Sequence, residues 1–393
     1  MNQLRFEIPE AERAPAALLD LIKAQRRAPE LFIRQPFEKE LLEEIEHRFA
    51  KKPASVLLVG IGGSSLGALA AYQALRPAKK IYFAETFDAR RLDRMLKKIK
   101  RPVGVAIVSK SGTTTETLAN AAVILGRLKK SDQVVAVTDK GSKLWNWADE
   151  NGVAVLPVPK DVVGRYSVFS AVGALPLHWA GISVDKLFKG ARDITAACLS
   201  ENIKENPAAR SALTIHRWLN EGKTIHDTFV FEPDLEGVGR WYRQLTGESI
   251  GKQGKGMTPT VSVGTTDLHS VAQLYLDGPK DKLTTFISVR DHGKDFAIKS
   301  RQGIEDLVPD LAGRKFGALL DAVLEGVKRT YRKQNLPFME IELAKVSEEA
   351  IGALLQMKMI EMMYLGKLMG VNPFDNPAIE LYKEETRKLL QKL

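Results

Sequence analysis

The chain of 393 residues is 44% hydrophobic and 27% charged, and its formal net charge is +10. This composition predicts a soluble globular protein that is long enough for two domains. The lone Cys198 excludes an internal disulfide and a thiolate metal site, and the Lys, Arg and Glu residues that interrupt the apolar stretches exclude a membrane span.

The distribution of charge favours a small anionic ligand over nucleic acid. The basic residues are spread along the chain, and the densest runs, "KKIKR" at 97–101 and "KRTYRK" at 328–333, are typical of solvated helix faces. The opening "MNQLRFEIPEAER" has no signal-peptide core, so we expect a cytoplasmic protein without a membrane partner.

A first parallel sheet with crossover helices is predicted between about residues 54 and 175, where short β-rich segments alternate with helical patterns. The predicted strands are 55–59, 80–84, 103–108, 133–138 and 153–156. Each is rich in Val and Ile or is aromatic, as strands are. Helices are expected at 65–76 and 114–129.

The same alternation predicts a second α/β domain in the later part of the chain. Its strands are expected near 224–231, 259–263 and 284–290, with a further short strand at 338–344. The expected helical segments are 185–221, 236–247, 266–277, 305–335 and 347–370. The last of these is apolar on nearly every face, so we expect it to be buried between domains or subunits.

A glycine-rich turn, "VLLVGIGGSSLG" at 56–67, follows the first predicted strand. It is not a dinucleotide fingerprint, because the third glycine of that motif would fall on Ser65, and it is not a P-loop, because it lacks the lysine. A strand, a tight turn and two serines at a helix start remain, and this arrangement favours an anion. A simple glycine turn with a serine N-cap is the alternative.

A second loop of the same design, "VGVAIVSKSGTTTET" at 103–117, joins a predicted strand to a predicted helix. Its polar residues are Ser109, Lys110, Ser111, Thr113, Thr114 and Thr115. Helix capping uses one hydroxyl, whereas this loop offers five. Short hydroxyl donors and one lysine at a helix start match a phosphomonoester, so a sugar phosphate is the leading ligand.

With these loops in view, the sequence resembles the phosphoglucose isomerase family, compact bacterial branch, from about residue 55 onward. The motifs that carry the resemblance are "GIGGSSLG" at 60–67, "SKSGTTTET" at 109–117, "GRYSVFSAVGALPL" at 164–177, "GESIGK" at 247–252, "TTDLHS" at 265–270 and "NPFDNPAIELYK" at 372–383. The first 40 residues show no such match.

The resemblance implies an α/β fold with two sugar-isomerase (SIS) domains, each a three-layer αβα sandwich with a mainly parallel sheet. Mapped on this sequence, the expected parts are an N-terminal helical segment at 1–45, a first SIS domain at 46–184, a second at 185–345 and C-terminal helices at 346–393. The C-terminal helices are expected to complete the active site.

The resemblance also implies a reaction, the reversible isomerisation of glucose 6-phosphate and fructose 6-phosphate through a cis-enediolate. Moving the carbonyl from C1 to C2 requires a carboxylate that carries a proton and a cation that offsets the charge on the enediolate. By their positions in the motifs, Glu248 matches the family's base and Arg165 matches its arginine. Val163 stands where the family usually has a glycine.

Ring opening of the sugar requires a further acid and base, for which the family uses a histidine and a lysine. Here they correspond to His269 and Lys383, and Gln244 lies one helical turn before the base. The resemblance implies the remaining substrate contacts, which are Gly63, Ser64, Ser109, Lys110, Ser111 and Thr114.

We expect no metal and no cofactor, because the six histidines show no paired ligand spacing. The resemblance implies a homodimer in which His269 crosses the interface. Two alternatives stay open: an isomerase that also accepts mannose 6-phosphate, and a non-catalytic sugar-phosphate-binding SIS protein. A glutamine-dependent aminosugar synthase is excluded, because it needs a nucleophilic N-terminal cysteine and this chain starts Met1-Asn2.

Overall fold

The computed structural model describes residues 3–9, 14–299, 303–308 and 310–392. The N-terminal segment contains one strand and three helices, which are β1 (Leu4–Glu7), α1 (Ala16–Arg27), α2 (Leu31–Arg34) and α3 (Glu40–Arg48). The sequence predicts only helices there. The strand was missed because it is four residues long and its pairing partner lies near the other end of the chain.

The first sheet is entirely parallel, in the order β3-β2-β4-β5-β6. Its strands are β2 (Ser55–Val59), β3 (Ile81–Ala84), β4 (Val103–Val108), β5 (Gln133–Thr138) and β6 (Ala154–Pro157), and its helices are α4 (Leu66–Leu75), α5 (Ala89–Lys98), α6 (Thr115–Leu125), α7 (Lys143–Glu150) and α8 (Ala171–Ala180). Every residue of β2 and β4 is buried, as is typical of strands covered on both faces. The predicted strands are confirmed to within one residue at each end.

The second sheet has the order β1-β10-β9-β7-β8, with β1 antiparallel to β10 and all other pairs parallel. Its further strands are β7 (Ile225–Val230), β8 (Thr258–Val263), β9 (Lys282–Asp291) and β10 (Phe338–Lys345). The helices of this part are α9 (Val184–Cys198), α10 (Pro207–Asn220), α11 (Glu236–Ile250), α12 (Ala272–Asp277), α13 (Phe316–Lys333), α14 (Glu348–Met369) and α15 (Ile379–Leu390). The predicted α/β class with two mainly parallel sheets is confirmed.

Three predicted helical segments differ from the structure. The helix expected over 305–335 begins at Phe316, because Asp310 and Gly313 have φ values of 64° and 75°, which a right-handed helix does not contain. The segment expected over 266–277 is a short 3₁₀ turn followed by α12. The segment expected over 185–221 is two helices, and the side chain of Asn206 caps the second by accepting from the backbone N–H of Ala209 (2.9 Å).

Helix α14 is the central helix of the chain and is buried along almost its whole length, as its sequence predicts. It packs against α9, α10 and α11, and it also contacts α1 and α4. A Cβ at Gly352 of α14 would lie 1.9 Å from the carbonyl oxygen of Leu187, so the backbones of α14 and α9 are in direct contact. None of the helices in the described ranges is long and apolar enough to cross a membrane.

Candidate active site

The two polar loops lie side by side at the carboxyl edge of the first sheet. Strands β2 and β4 are parallel neighbours, with Val59 opposite Ile107, so the chain leaves both strands at the same edge. The first leads into the 3₁₀ turn Gly62–Ser64 and α4, and the second leads into the hydroxyl-rich loop and α6. Both loops therefore present helix starts, with their free backbone N–H groups, to one place.

The glycine loop packs directly against the backbone that carries Arg165. Gly62 has a φ of 60°, and a Cβ at Gly63 would lie 2.3 Å from the carbonyl carbon of Gly164. The hydroxyl of Ser167 donates to the carbonyl oxygen of Gly63 at 3.3 Å. No larger residue fits at Gly63, and the close approach joins the loop after β2 to the 164–167 turn.

Val163 fits this turn although the family usually has a glycine there. Its φ and ψ are −73° and 147°, which is extended backbone that any residue adopts.

The hydroxyls of the second loop form a cluster. The buried Ser109 shares a hydrogen bond with Thr114 Oγ1 (2.9 Å) and lies 3.4 Å from the Thr114 backbone N–H, which donates to it. The hydroxyl of Ser111 accepts from the backbone N–H (3.3 Å) and the hydroxyl (3.1 Å) of Thr113. Hydrogen bonds among its own hydroxyls therefore hold the loop in this conformation.

Lys110 ties this loop to the segment that precedes Arg165. Its Nζ donates to the carbonyl oxygens of Lys160 (2.6 Å) and Val162 (2.9 Å). The neighbouring Asp139 carboxyl has a pKa above its ordinary value because it is partly buried, an effect that the charge of Lys110 opposes. This lysine thus places a positive charge beside both the hydroxyl loop and the arginine turn.

The predicted base and the predicted arginine are in contact. Glu248 Oε2 accepts hydrogen bonds from Arg165 Nη1 (3.2 Å) and from Asn376 Nδ2 (3.2 Å), and its Oε1 accepts from Gln244 Nε2 (2.9 Å). The Arg165 side chain is 1% exposed, whereas that of Glu248 is 26% exposed. The carboxylate is therefore held on one side and open on the other.

Helix α11 sets the positions of these groups. Gln244 and Glu248 are four residues apart, so they lie on one face of the helix. The next residue, Ser249, accepts from Arg165 Nε (2.9 Å) and shares a hydrogen bond with the Tyr166 hydroxyl (3.1 Å). Burial raises the pKa of Tyr166 to about 12, so its hydroxyl stays protonated and keeps this role.

The loop between α14 and α15 covers the other side of the guanidinium. Arg165 Nη2 donates to the carbonyl oxygens of Pro373 (2.5 Å) and Asp375 (3.1 Å), and Nη1 donates to Asn376 Oδ1 (2.9 Å). The sequence motifs by themselves predict no role for Asn376, Ser249 or Tyr166. All three lie within the quoted motifs, but no spacing rule relates them to the carboxylate.

Two predicted site residues lie apart from this cluster within the single chain. His269 is exposed at the end of the 3₁₀ turn Thr266–His269, and Lys383 on α15 bonds Glu380 at 2.8 Å. Neither contacts Glu248 or Arg165 in the part of the chain that the structure describes. The structure thus brings together both loops, Arg165, Gln244 and Glu248, and leaves His269 and Lys383 outside.

Solved structures of phosphosugar isomerases share this fold at low sequence identity; the tagatose-6-phosphate ketose/aldose isomerase of Escherichia coli matches with a TM-score of 0.56 and 15% sequence identity, and the match covers 93% of this chain and 98% of that one. The crystal structure of a glucose-6-phosphate isomerase from Chlamydia trachomatis matches with a TM-score of 0.85 and 21% sequence identity, and the match covers 100% of this chain and 89% of that one.

The sequence comparisons then identify the family. The family model of phosphoglucose isomerase matches residues 40–274. The glucose-6-phosphate isomerase of Rubrobacter xylanophilus is 37% identical over 389 residues, which cover 91% of this chain and 88% of the relative. The glucose-6-phosphate isomerase of Methanocaldococcus jannaschii is 33% identical over 343 residues, which cover 86% of this chain and 84% of the relative. The chain belongs to the phosphoglucose isomerase family, and the resemblance predicted from the six motifs is confirmed.

Proposed function

We propose that this chain interconverts glucose 6-phosphate and fructose 6-phosphate, in glycolysis and gluconeogenesis and in the cytoplasm. Relatives of matching length are named for the isomerisation of glucose 6-phosphate. The observation that carries the proposal is the carboxylate of Glu248, which is held by three donors and open on one side, next to two loops suited to a phosphate.

In the central step, Glu248 takes the proton from C2 of the open-chain aldose and returns it to C1. A proton also passes from the C2 hydroxyl to the C1 oxygen, so the intermediate is a cis-enediolate and the product is the ketose. The guanidinium of Arg165 lies against the carboxylate and stabilises the negative charge that develops on the enediolate oxygens. Gln244 fixes the orientation of the carboxylate.

The phosphate group binds at the two helix starts. Ser109, Ser111 and Thr114 supply hydroxyls and Lys110 supplies charge. From the other loop, Ser64 contributes its hydroxyl. Gly63 lets this loop lie directly against the backbone of Gly164 and Arg165. This assignment places the reactive carbons of the sugar at Glu248 and its phosphate at the edge of the first sheet.

Ring opening requires groups that the single chain does not bring to Glu248. We propose that His269 and Lys383 serve this step, that two copies form a homodimer, and that His269 of one copy enters the site of the other. The support is that His269 is exposed and that α15, which carries Lys383, exposes the apolar residues Leu381 and Leu389. A closed dimer would cover such residues.

The substitution Glu248→Gln tests the proposed base. It keeps the shape of the side chain and removes the proton acceptor, so kcat should fall by at least about 10³-fold while the substrate still binds. The assay couples glucose 6-phosphate formation from fructose 6-phosphate to a dehydrogenase. Glu236→Gln, which alters an exposed glutamate at the first position of the same helix, is the matched control and should retain wild-type kcat.

Isotope exchange distinguishes proton transfer from hydride transfer. In deuterium oxide, deuterium should enter C2 of recovered glucose 6-phosphate, because the proton held by Glu248 exchanges with solvent. Turnover without any label would contradict the enediolate step. An inactive wild-type chain that still binds the sugar phosphate would instead support the non-catalytic alternative.

An isomerase that also acts on mannose 6-phosphate differs only at the C2 stereocentre. The same coupled assay, supplied with mannose 6-phosphate, decides between the two substrate ranges, because fructose 6-phosphate formed from it would be converted further to the glucose 6-phosphate that the dehydrogenase detects.

A further inference from the structure

Lys252 lies just beyond the helix that carries Glu248, and its ammonium group points away from solvent. Helix α11 ends at Ile250, and the side chain of Lys252 is 8% exposed. Its Nζ donates to the carbonyl oxygen of Asn372, to that of Asp375 (2.7 Å) and to the Asp375 carboxylate (2.5 Å). All three donors of the ammonium group are therefore directed at one loop.

The same loop is held from the opposite side by Arg165. The loop, residues 372–376, lies within the 370–378 connection between α14 and α15 and contains no helix or strand of its own. Arg165 Nη2 donates to the carbonyl oxygens of Pro373 and Asp375, so the Asp375 oxygen accepts from both cations. Two cations from different parts of the chain thus hold three backbone carbonyl groups of a loop that secondary structure does not fix, those of Asn372, Pro373 and Asp375.

The loop delivers a side chain to the proposed base. Asn376 follows the doubly held carbonyl, and its amide bridges the two central groups by accepting from Arg165 Nη1 and donating to Glu248 Oε2. A shift of Asp375 would move this amide by a similar amount. Loss of alignment at a reacting group of about 1 Å lowers rates by about 100-fold.

We propose that Lys252 is a positioning residue, which clamps the 372–376 loop so that Asn376 holds the carboxylate of Glu248 in its reactive orientation. The inference rests on the proposed isomerase function and adds a residue to it. Lys252 acts through the loop and does not touch the substrate.

The chain offers a matched control in Lys255. Its Nζ donates to the carbonyl oxygen of Met369 at the end of α14 (2.9 Å), and no described contact joins it to the 372–376 loop. Lys252→Met and Lys255→Met therefore remove the same charge and the same kind of bond from one short segment. Only the first releases the loop.

The test measures kcat and KM for fructose 6-phosphate in Lys252→Met, Lys252→Arg and Lys255→Met. We expect kcat of Lys252→Met to fall by about 10- to 100-fold with KM changed less than about threefold, because the phosphate loops keep their contacts. Lys252→Arg should recover most of the loss, since it restores a cation, and Lys255→Met should stay within about twofold of wild type.

Hydrogen exchange supplies a readout that does not depend on turnover. The backbone amide of Phe374, which donates to Asn372 Oδ1 (3.0 Å), should exchange faster in Lys252→Met than in wild type, whereas amides of α11 should not. A folded Lys252→Met with wild-type kcat, or with unchanged exchange in the loop, overturns the proposal. If Lys252→Met does not fold, Lys252→Gln takes its place under the same criteria.

The outcomes also separate this inference from the function on which it rests. An inactive wild-type enzyme contradicts the proposed function. An active wild type with an inactive Glu248→Gln and a fully active Lys252→Met contradicts only the role of Lys252.

Discussion

His226 lies in a buried polar cluster between β7 and α11. Its Nε2 shares a hydrogen bond with Thr285 Oγ1 (2.8 Å), its Nδ1 is buried without a partner among the described residues, and its ring meets the edge of Tyr242 at 5.8 Å. Lys358 places its ammonium over the same tyrosine ring and pairs with Glu361 (2.9 Å). Burial, and then the charge of Lys358, lower the pKa of His226 to about 3.

This lowered pKa predicts acid sensitivity. An unfolded histidine takes up its proton near pH 6.5, whereas His226 in the folded chain does not until about pH 3, so its contribution to stability is present above pH 6.5 and is lost as pH falls. Between pH 7.5 and pH 5 this amounts to about 2 kcal/mol of unfolding free energy.

Urea unfolding of wild type and His226→Asn at both pH values checks this prediction. The drop in unfolding free energy on acidification should be smaller in His226→Asn by that amount, whatever the stability of the variant at pH 7.5. His47→Asn, which alters an exposed histidine, should keep the wild-type drop. Equal drops in all three proteins would show that His226 is protonated in the folded state.

For individual residues, the sequence predicts those side-chain contacts whose two partners lie on the same helix or in the same motif. Gln244 and Glu248 are one helical turn apart, so their contact follows from helix geometry alone. Asn376 lies 128 positions from Glu248, and its contact depends on how the chain that leaves α14 returns to α11. No pattern of residue types encodes that path.

Among the elements, α9 and α14 form the closest helix contact. Gly190 and Gly352 face the partner backbones, and a Cβ at either would lie 1.9 Å from a carbonyl oxygen of the other helix. We expect Gly352→Ala to lower the unfolding free energy by about 2–4 kcal/mol, because the added methyl forces apart the buried, tightly packed faces of the two helices.

Gly326→Ala on α13 is the control, since no atom lies within 4 Å of its new methyl group. Alanine there should raise stability by up to about 1 kcal/mol through helix propensity. Denaturant unfolding of both variants measures the two effects. Equal unfolding free energies for Gly352→Ala and Gly326→Ala would mean that α9 and α14 tolerate a wider separation.

Elements with a strong local signal were predicted well, and those that depend on distant partners were not. The inner strands β2 and β4 consist mostly of Val, Ile, Leu and Ala, a composition that predicts a buried strand. Strand β1 has only four residues, and Arg5 and Glu7 in it are polar, so its strand character comes from pairing with β10. The helical spacing of apolar residues predicts α13, but the predicted segment also includes the turn that precedes Phe316.

For the whole molecule, the proposed shared site makes a quantitative prediction. Glu248→Gln and His269→Ala chains should each be inactive alone. When they are unfolded and refolded together, half of the dimers are mixed, and each mixed dimer has one site with both defects and one with none. About a quarter of wild-type activity should return.

Size-exclusion chromatography with differently tagged chains establishes that mixed dimers form. If both residues served a site within one chain, every site in the mixture would carry one defect. Mixed dimers without activity therefore contradict the exchange of His269 between subunits.

The position of α14 near the end of the chain has a consequence for biosynthesis. While the ribosome is still making the protein, β2 to β6 can pair as soon as residue 157 has emerged, because all five strands are already present. In the second sheet, β7, β8 and β9 can pair before β10 is made, but the faces of α1, α9, α10 and α11 that pack against α14 stay uncovered until residue 369 has left the exit tunnel. Contacts between segments that are so distant in sequence form slowly, and the intermediates expose hydrophobic surface and are prone to aggregate. The nascent chain therefore depends on protection from aggregation until α14 has been synthesised. A premature stop codon before residue 348 would yield a product that lacks α14 and cannot complete its hydrophobic core.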